Sequence, residues 1–177
     1  TFNGSPANNY GFTATPGEDG TFYSGASVKE TGFPTTPGAF QTTYGGGGGN
    51  GSSDIGIMKF NATGTARVYS TYIGGSNNDY PHSIIADAAG NLVILGRTYS
   101  ANYPRTVPVV GTGGGGDILV TKLNATGTAL IGSMVIGGNG LDGTNIKDPQ
   151  NGASSNPQSI HRFYGDDSRS EVNLDAA

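Results

Sequence analysis

The chain contains no cysteine and no tryptophan, and only 12% of its 177 residues are charged. Without cysteine there is neither a disulfide framework nor a thiolate metal site. Lys and Arg total 9, scattered singly against a net charge of −4. No basic stripe exists to neutralise phosphates, which argues against a nucleic-acid partner. No apolar run approaches the ~18 residues of a membrane-spanning helix, so the chain is not expected to cross a membrane. No segment sustains a 3.6-residue apolar period, so helix should be minimal. Nucleophilic catalysis has little to draw on. There is no Gly-x-Ser-x-Gly elbow, and the two histidines, His82 and His161, lie in non-equivalent segments. No catalytic residue and no cofactor is expected. The chain opens TFNGSP, with no Met and no signal peptide, as expected of a processed or excised piece of something longer.

What is abundant is glycine, 32 residues, amid recurring aromatic and β-branched residues. That mixture suits a β protein with many tight turns. The decisive feature is an internal repeat. Residues 54–79 (DIGIMKFNATGTARVYSTYIGGSNND) and 117–142 (DILVTKLNATGTALIGSMVIGGNGLD) share 14 of 26 positions without a gap, 63 residues apart. Upstream, DAAGNLVILGRTYSANYP (87–104) matches GEDGTFYSGASVKETGFP (17–34), and the first copy is about seven residues longer before its glycine run. The chain divides into a unit of about 8–79, a unit of about 80–142, an insert at 143–163, and the start of a further unit at 164–177.

Each unit reads as four short strands punctuated by turn residues: SIIADA, LVILGRTY, DILVTKL and ALIGSMVIGG in the second copy. The apolar runs are nearly continuous, as in strands covered on both faces. Four strands per tandem unit is blade logic, so the fold class expected is all-β, with four-stranded antiparallel blades forming a partial β-propeller of about two repeats and the start of a third. The glycine runs at 45–49 and 113–116 precede strands and lack a following Lys-Ser/Thr, so they are turns rather than phosphate loops.

The string FPTTPGAFQTTYGGGG…DIGIMKFNATGTARVYSTYIGGSNNDY…SIIADAAGNLVILGRTYSANYP resembles the SBBP repeat, a β-propeller repeat of large exported bacterial proteins, especially Bacteroidetes-type ones. The likeness covers about 8–142 and 164–177, but the second copy has NYPRTVPVV where the family has FPTT. The resemblance implies an extracellular or cell-surface bacterial protein. It says nothing of activity, because such blades serve many uses.

Candidate sites follow from loops. Asn61 and Asn124 each begin an Asn-Ala-Thr triplet that would accept an N-linked sugar, but the equivalent positions in both units point to a hairpin turn instead. There Asn tolerates left-handed φ, Gly64 and Gly127 supply it, and Thr63 and Thr126 bond local backbone. Asp79 and Asp142, in GGSNND and GGNGLD, are loop carboxylates that could hold Ca²⁺. Tyr44, Tyr80, Tyr103, His161 and Tyr164 are candidate binding-surface residues, for stacking on sugars or for contact with proteins. The partners expected are other blades or chains of the same assembly, and surface glycans or proteins. A non-enzymatic role as scaffold, adhesion or interaction module is the leading reading. Two alternatives stand beside it: part of an extracellular enzyme acting on polysaccharide, and a subunit of an extracellular fibre or multi-chain assembly.

Overall fold

The computed structural model describes residues 7–46 and 52–142. The insert at 143–163 and the further unit at 164–177, with His161 and Tyr164, lie outside the described residues. The described chain is all β, in nine strands and two sheets.

The first sheet is a meander of β1 (Asn9–Pro16), β2 (Phe22–Val28), β3 (Asp54–Phe60) and β4 (Arg67–Ile73), each antiparallel to the next. The second repeats it with β5 (Asp79–Ala86), β6 (Leu92–Thr98), β8 (Asp117–Leu123) and β9 (Leu130–Gly137). Strand starts recur at a spacing of 70 residues for β1/β5 and β2/β6, and of 63 for β3/β8 and β4/β9. The first blade's longer connection between β2 and β3 absorbs the difference. One strand has no counterpart. β7 (Val110–Gly111) adds a two-residue parallel edge to β9, so the second sheet has five strands rather than the four expected.

Turn chemistry explains the meanders. In the β3–β4 hairpin the Asn61 carboxamide oxygen accepts the N–H groups of Thr65 (2.9 Å) and Ala66 (3.1 Å). Gly64 closes onto the Asn61 carbonyl at φ +67°. Asn124 does the same for Thr128 (2.8 Å) and Ala129 (3.2 Å), with Gly127 at φ +71°. Asn therefore acts through its side chain, and Thr63 and Thr126 bond the next threonine hydroxyl, Thr65 and Thr128, instead of backbone as expected.

The sheets meet through β5, which lies against β1, β2 and β3. One apolar core spans the seam, with Tyr23, Ile55 and Ile57 from the first blade and Leu92, Ile94 and Leu119 from the second. Burying a side chain of that size stabilises by about 1.5–3 kcal/mol, so the seam is the main source of cohesion between blades. Tyr23 adds a polar tie, donating from its hydroxyl to the Gly90 carbonyl at 3.0 Å.

Candidate interaction surface

Four aspartates recur at matched positions of the two units, and three of them head strands. Asp54 opens β3 and Asp117 opens β8, and both are buried. Asp54 Oδ2 accepts the N–H of Gly45 at 2.8 Å and Gln41 Nε2 at 3.3 Å, while Asp117 Oδ2 accepts Gly114 N–H at 3.2 Å. The glycine runs thus present backbone donors to the acid heading the next strand. The glycine pair ending each unit makes room for it. A Cβ on Gly74 would sit 2.6 Å from the Asp54 carboxyl, and one on Gly137 would overlap Asp117.

Asp79 and Asp142 form the second pair. Asp79 Oδ2 accepts Gly75 N–H and the Ser100 hydroxyl, both at 2.8 Å, and Asp142 Oδ2 accepts Gly138 N–H at 2.6 Å. Their backbones are equivalent as well. Asp79 N–H bonds the Ser53 carbonyl and Asp142 N–H the Gly116 carbonyl, each at 2.6 Å. Asp79 was expected in an open loop. It is fully buried at the head of β5, because that residue ties the new strand back to the blade before it. Burial pushes Asp54 up to about 7, with the charge of Asp79 adding to the effect, and pushes Asp79 up to about 6. Among the described residues, no three or more acidic or histidine side chains gather as a metal site. Asp79 and Asp142 are turn acceptors at equivalent positions of the two units.

The tyrosines divide. Tyr44 is half-buried, donates to the Ser52 carbonyl at 2.5 Å and lies 6.0 Å from the Tyr72 ring, so it fastens the two ends of its loop. Tyr80 is half-buried and bridges blades, its ring 6.1 Å from Phe12 and 6.4 Å from Tyr99. Tyr103 is no surface residue: it is 1% exposed in the seam core, its hydroxyl 3.0 Å from that of Thr121.

A Pro-x-Thr clasp follows that position in both blades. The Pro34 carbonyl accepts the Ser70 hydroxyl, and Thr36 and Ser70 exchange backbone and hydroxyl bonds. Pro104 accepts from Ser133 at 2.7 Å, and Thr106 pairs with Ser133 in the same way. NYPRT therefore performs the task of FPTT. Of the four positions only the two that bond, Pro and the second Thr, are retained unchanged.

Residues 68–104, from β4 through β6 to the clasp proline, match the family model of the SBBP beta-propeller repeat. Over those residues the chain is similar to an SBBP beta-propeller repeat. No curated protein matches the chain. The SBBP match begins in one blade and ends in the next, so it takes in the Asp79 tie and half the seam.

One open face of the first blade carries an apolar groove. On the side of the first blade away from the seam, a groove of ≈ 380 Å³ is lined by Phe22, Ser24, Phe33, Gly56, Met58 and Phe60. Phe22 is 48% exposed there. Nearly continuous apolar runs hid this face in the sequence, because both sides of a strand read alike. The available signal was the 70-residue offset, which gives Phe22 the position that the buried Leu92 holds in the second unit.

Proposed function

We propose that the chain is a non-enzymatic propeller-type module of an exported bacterial surface protein, serving as scaffold and interaction surface. One observation carries this reading: the polar residues that recur between blades are engaged in holding the blades. Asn61 and Asn124 close hairpins, Asp79 and Asp142 accept the glycine N–H of the turn that ends each unit, and Ser70 and Ser133 clasp the Pro-x-Thr segments. Some side chains that differ between units lie on open faces, as Phe22 does at the position of the buried Leu92, and the edge counterparts Val68 and Ile131 both stand half exposed. A retained frame with variable exposed positions supports recognition rather than chemistry. The likeness to SBBP repeats supports export.

Two experiments test the reading on the full-length protein. Protease shaving of intact cells should release it, whereas protection until lysis would contradict a surface location. A panel of polysaccharides should bring binding without new reducing ends. Release of reducing ends, abolished by substitution of an acidic residue, would favour the enzyme instead.

A further inference from the structure

We propose that the aromatic strip along the edge strands β1 and β5, with Lys29 and Arg97 beside it, is a binding site for an acidic polysaccharide, a chain of uronate sugars. The inference rests on the interaction-surface reading and deepens it by naming the site and the class of ligand.

β1 and β5 are edge strands of their sheets and lie against each other. Phe12 is the extra residue of a bulge between Gly11 and Thr13, and a bulge at a sheet edge re-aims the side chain it carries. The Phe12 ring stands 6.1 Å from Tyr80 of β5, and Tyr80 stands 6.4 Å from Tyr99 in an edge-on pair. Tyr10, two residues before Phe12, extends the strip and is 54% exposed, and Phe12 is 46% exposed. Phe12 and Tyr80 meet across the junction of the two blades and both keep accessible surface. Packing of neighbouring blades therefore leaves this strip open. An exposed aromatic patch of this kind marks a place of contact with something else.

Charge selects the ligand. Lys59 and Lys122 face carboxylates within their own units, Asp19 at 3.5 Å and Asp87 at 2.8 Å. The cations at the strip differ, because neither Lys29 nor Arg97 makes an ion pair among the described residues. Lys29 Nζ stands 5.0 Å over the Tyr10 ring. Arg97 pairs directly with Tyr80 across β5 and β6, which puts both side chains on one face of the sheet. Its charge opposes the upward push that burial gives the Tyr80 phenol. Arg97 is only 6% exposed, and its Nε has no hydrogen-bond partner. A guanidinium so far out of water is costly without a counter-charge, and its planar fork matches a carboxylate. A uronate sugar supplies that carboxylate. The C–H faces of its ring stack on Tyr10, Phe12 and Tyr80, and its hydroxyls meet the phenols.

Isothermal titration of the full-length protein with an oligomannuronate, a neutral oligoglucan and polyglutamate tests the site. The oligomannuronate alone should bind, and more weakly as salt is raised. Phe12→Ala, at an exposed position, should weaken binding about tenfold. Arg97→Gln should weaken it about tenfold to a hundredfold. Lys29→Gln, also exposed, repeats the charge test in case the buried Arg97 variant does not fold. Equal binding of the oligoglucan would overturn the selection by charge, and equal binding of polyglutamate would overturn the stacking on sugar rings. Absence of binding, or binding unchanged in both Phe12→Ala and Lys29→Gln, would overturn the site as a whole. Each of these results leaves the surface reading in place. Protection of the protein from protease on intact cells would overturn that reading, and this inference with it.

Discussion

The hydroxyl of Tyr103 lies 3.0 Å from that of Thr121 inside the seam, and Thr121 lies 2.8 Å from Ser133, which donates to the Pro104 carbonyl. The first blade has Phe33 and Met58 at the positions of Tyr103 and Thr121. One blade thus fills the spot with a hydrogen-bonded pair and the other with an apolar pair. Thr121→Val should cost about 1–3 kcal/mol, because it leaves a fully buried phenol without its partner. Adding Tyr103→Phe should recover at least half of that loss. Urea unfolding of the two single variants and the double variant checks this, provided the slopes agree.

Two buried carboxylates predict an inverted pH response. An unfolded aspartate titrates near about 4, whereas burial holds Asp54 at about 7 and Asp79 at about 6. Between those values the unfolded chain releases protons that the folded chain keeps, so stability falls as pH rises. Asp87 acts oppositely. Its hydrogen bond from Lys122, helped by Asn91, holds it at about 2. Its stabilisation is complete above about pH 4 and is lost only as pH falls toward 2. The melting temperature should therefore be higher at about pH 5 than at about pH 8, and Asp54→Asn should remove most of the difference. A flat or reversed profile would contradict the burial of these acids.

The hairpin asparagines make a separate test. Asn124 offers one oxygen to two backbone N–H groups, Thr128 and Ala129. Asn124→Ala should cost about 1 kcal/mol, and Asn124→Asp, which keeps the acceptor, should cost much less. Equal melting temperatures for the two variants would mean that the carboxamide is idle in the fold.

Much of this was legible in the sequence, and the failures have physical causes. The likeness of DIGIMKFNATGTA to DILVTKLNATGTA, 63 positions later, placed β3, β4, β8 and β9, because turn residues and strand residues repeat together. Asp79 was misread because SNND has the composition of a solvated loop, and only the bond to Ser53 across the blade boundary buries it. Tyr103 was misread for a related reason: a tyrosine beside a proline suggests a loop tip, yet Thr121 waits for it 18 positions later. The second clasp was obscured by Arg105, which replaces a threonine whose side chain makes no clasp bond. β7 gave no signal, since two residues of parallel edge carry no period.

The central claim is that the two repeats are blades sharing one core, and amide hydrogen exchange on an Ile57→Ala chain tests it most directly. Ile57 belongs to β3 of the first blade but packs in the cluster that holds Ile94 and Leu119 of the second. Truncating it should cost about 2–5 kcal/mol. The account predicts faster exchange in β6 and β8 as well as in β2 and β3. Acceleration confined to the first blade, with β6 and β8 unchanged, would contradict it.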